Sequence, residues 1–101
     1  MNAKKWFVYM IRTSDDQLYT GITTDIQRRW QEHKSGKGGA RYFRTQSPKS
    51  LAFLEECPDR SSASKREAYI KSLTKLKKEE LVILQNEVTE LLLGLSEFAY
   101  E

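Results

Sequence analysis

Cysteine and histidine are nearly missing from this chain: Cys57 and His33 are the only ones. A single thiol excludes an internal disulfide and a cysteine zinc cluster, and one added imidazole leaves a transition-metal site short of ligands. Any catalytic cation is therefore expected to be a hard ion held by carboxylate and water oxygens. Cys57 follows an apolar run and reads as a small buried hydrophobe rather than a nucleophile. No apolar stretch approaches the roughly 20 residues of a membrane span. The run from Trp6 to Ile11, after Lys4 and Lys5, is too short for a signal peptide, so a cytoplasmic protein that does not enter a membrane is expected. Repeats, low-complexity tracts and Pro/Gly/Ser linkers are also lacking. The expected organisation is one domain over residues 1–86, with an acidic helical extension, 87–101, packed on it.

Basic residues are absent from the C-terminal quarter. All 17 Lys and Arg lie within residues 1–78, against 8 acids, whereas residues 79–101 hold six acids and no base. A basic body with an acidic tail suits a polyanionic partner, although composition alone fits ordinary solubilising charge equally well. With 39% hydrophobic and 31% charged residues, the balance is that of a folded domain.

Trp6 to Arg12 is β-branched and aromatic, Gln17 to Thr23 alternates, and Ser14-Asp15-Asp16 between them supplies turn chemistry, so the two runs predict a hairpin. Thr24, with Gln27 three residues on, predicts the start of a helix that runs to about Lys34 and stops at Gly36. Gly36-Lys37-Gly38-Gly39 reads as a basic loop leading to Ala40–Arg44, a candidate short helix. Leu51–Leu54 predicts a third strand, and Asp59-Arg60-Ser61-Ser62 opens a long helix through Ile70, Leu73 and Leu76. Leu81, Val82, Leu84, Val88, Leu91, Leu92 and Leu95 predict one or two further amphipathic helices. The order β-β-α-β-α-α implies an α+β domain with a small, three-stranded, mainly antiparallel sheet flanked by helices.

Ile26, Arg29, Trp30 and His33 recur at i, i+3, i+4 and i+7 and share one helix face. Ile26 and Trp30 turn that face to the sheet, so Arg29 and His33 border a core stripe where an unpaired charge is costly. Arg28 points about 100° away and reads as a surface cation. Tyr9 and Tyr19 join this face only if the hairpin loop has an odd number of residues; Ser14-Asp15-Asp16 predicts three. Each of these residues taken singly also has an ordinary structural reading: a salt bridge at the core edge, a satisfied imidazole, amphipathic strand aromatics.

Taken as an ordered set, these residues resemble the GIY-YIG nuclease superfamily, and its small bacterial single-domain group in particular. Phe7-Val8-Tyr9 stands where the superfamily has Gly-Ile-Tyr, and Tyr19-Thr20-Gly21 stands for Tyr-Ile-Gly. Arg29 and His33 follow at matching distances, and Glu67 in Lys65–Lys71 matches a metal-binding glutamate. The likeness spans about Trp6 to Leu84. Phe7 departs from the glycine of the first motif, and no asparagine aligns with the one usually found late in the family.

The resemblance implies a metal-dependent endonuclease that hydrolyses DNA phosphodiester bonds. Glu67 would be the protein ligand of Mg²⁺ or Mn²⁺, with water and phosphate completing the shell. Arg29 would bind phosphoryl oxygens in fork geometry. Tyr9 would be the general base or water-positioning group, with His33 holding its proton and Tyr19 orienting water or phosphate. Gly21 would allow close backbone approach to nucleic acid. Lys37, Arg41 and Arg44, interleaved with Tyr42 and Phe43, suit phosphate contact and base stacking; an inward-packed loop fits the same pattern. Glu67 also fits a capping box from Ser64 and an i,i+4 pair with Lys71. With no appended module to read base edges, the expected cutting is structure-dependent or weakly sequence-specific, on branched or damaged DNA in repair or recombination. The alternative is a nucleic-acid-binding or partner-docking module of the same fold, with Leu91, Leu92, Leu93, Leu95 and Phe98 as a protein-binding surface.

Overall fold

The computed structural model describes residues 4–36, 38, 43 and 46–93. The apolar stretch Trp6–Thr13 forms β1, the middle strand of an antiparallel sheet ordered β2-β1-β3, with β2 over Leu18–Thr23 and β3 over Pro48–Cys57. Val8 and Met10 on one face of β1, and Tyr9 and Ile11 on the other, are each at most 1% exposed. Cover on both faces explains why this strand reads as an unbroken apolar run rather than an alternation. Helices α1 (Ile26–Ser35), α2 (Arg60–Lys71) and α3 (Lys75–Leu93) complete the order β-β-α-β-α-α. The fold is α+β, as the sequence predicts.

The sheet separates two clusters. α1 lies on the face of Tyr9 and Ile11, which pack with Phe43, Tyr19, Ile26, Trp30 and Leu54. Ala63 and Ile70 of α2 and Val82 of α3 lie on the opposite face with Val8, Met10, Leu18, Phe53 and Cys57. Cys57 is 6% exposed and burial pushes its thiol pKa up, which fits the buried hydrophobe expected of it.

The hairpin loop has three residues. Asp16 N donates to Thr13 O and Thr13 N to Gln17 O, both at 2.9 Å. Asp16 takes the left-handed conformation, φ 65°, that such loops need and that glycine usually provides. Thr13 Oγ1 bonds the Asp15 carboxylate and accepts from Gln17 N. The resulting register sets Tyr9 opposite Gly21 and Ile11 opposite Tyr19, so both tyrosines share the α1 face.

Four local expectations are corrected. The α1 cap is Asp25, whose carboxylate accepts from Arg28 N at 3.0 Å, not Thr24 with Gln27; Thr23 Oγ1 fixes the entry by accepting from Asp25 N. The long helix expected through Leu76 breaks after Lys71. Ser72 bonds its hydroxyl back to Tyr69 O, and Thr74 accepts from Lys77 N as a new cap, so two short hydroxyl side chains compete with the helix ladder. Asp59 caps α2 through Ser62 N, so Ser64 is inside the helix and forms no capping box with Glu67. The third strand also extends well beyond Leu51–Leu54. Its polar ends, Lys49, Ser50, Glu55 and Glu56, hid it, and Pro48 is tolerated as the first residue of an edge strand. The proposed helix at Ala40–Arg44 falls largely outside the described residues.

α3 is pinned to this frame by polar contacts. Arg12 grips Glu79 with two bonds of 2.8 Å. The Gln85 amide donates to Leu54 O at 2.6 Å and accepts from Leu54 N at 3.0 Å, which occupies backbone groups on the outer edge of β3.

Candidate active site

Four of the five residues singled out for chemistry meet on the α1 face. The Tyr9 hydroxyl and His33 Nε2 are 2.8 Å apart. The Tyr19 ring lies 6.5 Å from that of Tyr9 and 5.6 Å from that of His33, measured between centroids. Arg29, one helical turn before His33, sets its guanidinium near the Tyr9 phenol, where its charge favours the phenolate. The spacing of α1 brings this about: Ile26 and Trp30 pack on Tyr9 and Ile11, which turns Arg29 and His33 to the same side.

Gly21 has a different local reason from the one its motif suggested. A Cβ there would sit 2.4 Å from the Tyr9 hydroxyl and 2.6 Å from Cζ, so the missing side chain is the space the phenol occupies. Within the fold, Gly21 serves Tyr9.

The electrostatics hold both partners of the 2.8 Å contact neutral near pH 7. Burial pushes the Tyr9 phenol up, against the pull of Arg29, and Tyr19 and Glu67 add to the rise. Burial lowers His33 to about 4, with the Arg29 cation assisting; the imidazole is 0% exposed. The O–H donates to Nε2 when the ring proton is on Nδ1, and the phenol oxygen accepts in the other tautomer.

Glu67 comes from α2, whose Ala63 and Ile70 pack beneath the sheet. At about 100° per residue, Arg66 and Glu67 flank this inward stripe on opposite sides. Arg66 pairs with Glu55 of β3 at 2.9 Å, which turns Glu67 toward the β2 side, where Gly21 and the Tyr9 hydroxyl lie. Its charge opposes ionisation of Tyr9. Its carboxylate also pairs with Lys71 at 3.1 Å, the i,i+4 contact its spacing predicts.

Sequence reasoning missed Glu32 and left Phe43 open between base stacking and inward packing. Arg29 Nη1 donates to Glu32 Oε1 at 3.0 Å and to Gly38 O at 2.8 Å, a pair legible as i,i+3 spacing. Phe43 is buried, with ring centroids 4.6 Å from His33 and 4.9 Å from Tyr19. It closes the tyrosine–histidine cluster and is not available as a base-stacking surface. Lys37, Arg41 and Arg44 lie outside the described residues.

Among the described residues no group of three His, Cys, Asp or Glu side chains could cage a metal. One carboxylate, 22% exposed, fits a hard cation that shares its shell with water and a phosphate oxygen. No described helix is long and apolar enough to cross a membrane.

Residues 5–80 match the family described as the GIY-YIG catalytic domain. The chain is 50% identical over 90 residues to the UPF0213 protein YhbQ of Escherichia coli O139:H28, covering 89% of both chains, and matches YhbQ of Shigella dysenteriae serotype 1 to the same extent. The solution NMR structure of the UPF0213 protein BH0048 from Bacillus halodurans superposes with a TM-score of 0.52 at 40% identity, over 79% of this chain and 84% of that one.

Proposed function

The chain belongs to the GIY-YIG nuclease family, and on that footing we propose that it is a metal-dependent DNA endonuclease with Tyr9, Tyr19, Arg29, His33 and Glu67 as its working groups. The observation that carries this reading is the convergence of a buried phenol–imidazole contact and a guanidinium, with a glycine clearing room for the phenol.

Arg29 binds the phosphoryl oxygens and offsets the charge that develops on them, through donors not taken by Glu32 or Gly38. Tyr9 orients the attacking water and takes its proton; the phenol proton passes to His33 Nε2. An imidazolium whose pKa is about 4 gives that proton up readily, which suits a relay rather than a store. Tyr19 orients water or phosphate by its hydroxyl. Glu67, once released from Lys71, would hold Mg²⁺ or Mn²⁺. Such a cation would supply charge neutralisation at the phosphoryl oxygens and help to the leaving oxygen. Lys37, Arg41 and Arg44 contact the DNA backbone. Branched or damaged DNA, cut with weak sequence preference in the cytoplasm during repair or recombination, is the substrate this small domain suits.

A second reading has its own observation. Tyr9 is 1% exposed, Arg29 is tied to Glu32, and Glu67 to Lys71, as in a module that binds nucleic acid and turns over poorly. Incubation with nicked, branched and linear DNA, with Mg²⁺ or with chelator, separates the two. The nuclease reading expects metal-dependent products that vanish in Glu67→Ala and fall steeply in Tyr9→Phe. Binding without products, with a steep salt slope, favours the module; full activity in Tyr9→Phe removes the base assignment.

A further inference from the structure

The Arg29 guanidinium is tied at one corner. Nη1 carries two protons and meets two acceptors, Glu32 Oε1 at 3.0 Å and the Gly38 carbonyl at 2.8 Å. A guanidinium is planar, so a corner held at two points sets the plane of the whole group. Of the forks it can offer an oxyanion, the one that uses Nη1 is closed, and the one formed by Nε and Nη2 stays open. Both anchors are built into the end of α1. Glu32 follows Arg29 by three residues, so helix geometry sets the spacing of the pair. The Glu32 backbone carbonyl accepts from Gly36 N at 3.1 Å, the bond that ends the helix. Gly36 and Gly38 then take left-handed conformations, φ 78° and 73°, which glycine adopts without strain, and the Gly38 carbonyl comes to Arg29.

We propose that Glu32 is a positioning residue: together with the Gly38 carbonyl it pins Arg29, so that a phosphodiester is offered the Nε–Nη2 edge alone. As a contribution to stability an i,i+3 ion pair counts for little; its effect here is orientation. The side chains of Arg29 and Glu32 are 28% and 31% exposed, partly withdrawn from water. Arg28, on the solvent side, approaches the same carboxylate only to 3.8 Å, so Glu32 is committed to Arg29. The role in cutting rests on the nuclease reading, whereas the pinned guanidinium can be observed without it. Charge supplies the opposing expectation. A carboxylate that merely screened Arg29 would repel DNA, and its removal would tighten binding and leave turnover intact or faster. Removal of a positioning carboxylate slows turnover instead. Glu32→Gln separates the two, because it keeps an acceptor at the same reach and drops the charge.

Single-turnover cleavage of branched DNA, paired with nitrogen NMR of the arginine side chains in the DNA-free protein, tests it. Glu32→Ala lowers the maximal rate on the order of 10²-fold, with little change in the DNA concentration at half-saturation, and Glu32→Gln recovers most of that rate. In the NMR spectrum Arg29 shows separate Nη1 and Nη2 resonances. They persist in Glu32→Gln and merge in Glu32→Ala, where the freed group rotates about Nε–Cζ. Equal losses in the two variants, faster cutting in Glu32→Ala, or merged resonances in the unaltered chain overturn the proposal. A chain that cuts no DNA, yet shows separate resonances that merge only in Glu32→Ala, sinks the nuclease reading and leaves the anchor standing.

Discussion

On one face of the sheet Val8, Met10, Phe53, Ile70 and Val82 pack on one another; on the other, Tyr9 shares its burial with His33 and the nearby charge of Arg29. Both faces are drawn from the same strands, and successive β1 residues alternate between them. The apolar face meets the needs of folding at low risk, since none of its principal members holds a group that must be kept partnered. The aromatic face buries a phenol and an imidazole, whose desolvation is tolerated only because they bond each other. Stability and chemistry are thus divided between two sides of one strand.

Mutation should expose that division. Ile70→Ala, at a fully buried site, is expected to lower unfolding free energy by about 2–5 kcal/mol in urea titration, while cutting per folded molecule is unchanged. Loss of both together would mean that the faces are coupled. Arg29→Ala is the converse test. Single-turnover cleavage should fall on the order of 10²–10³-fold, with stability shifted by less than about 1 kcal/mol. Gly21→Ala touches both properties, because its methyl would overlap the Tyr9 phenol. A loss of about 1–3 kcal/mol is expected, shrinking in a Tyr9→Ala background if the clash is the cause.

Protonation sharpens the comparison further. His33 titrates near 4 in the fold and near ~6.5 when unfolded, so the unfolded chain takes up the proton first. Its contribution is fully present above about pH 6.5 and is lost as pH falls toward 4, by roughly 1 kcal/mol per pH unit. His33→Gln should flatten that part of a stability–pH curve. Glu79, held near 2 by Arg12 and Lys75, acts in a lower window: its contribution is present above about 4.5 and is lost as pH falls toward 2. The smallest change concerns Thr20, on the apolar face, whose hydroxyl is buried and unpartnered among the described residues. Thr20→Val should raise stability by about 1 kcal/mol; a loss would reveal a partner for that hydroxyl.

How much of this the sequence disclosed depended on whether the signal was local. The face shared by Ile26, Arg29, Trp30 and His33 is a matter of helical period, and the odd hairpin loop a matter of counting residues; both were legible. The break at Ser72–Thr74 was obscured because leucines at 73 and 76 continue a helical rhythm that the neighbouring hydroxyls interrupt. The full length of β3 was masked by polar residues at its ends. Gln85 closing the β3 edge at Leu54, Arg12 reaching Glu79, and the Tyr9 ring lying over Gly21 join segments distant in the chain, and no periodicity encodes them. The same holds for Glu67, whose direction emerges only when Arg66 is seen paired with Glu55.

The three-residue loop at Ser14–Asp16 makes the hairpin sensitive to parity. Inserting or deleting one residue there, with β1 fixed, would turn Tyr19 and Gly21 to the side of Ile70 and bring Thr20 under α1. A change of two residues would restore the facing of every side chain. Tolerance of length variation at this turn should therefore alternate between odd and even rather than decline steadily, and the first ring to register each step is that of Tyr19.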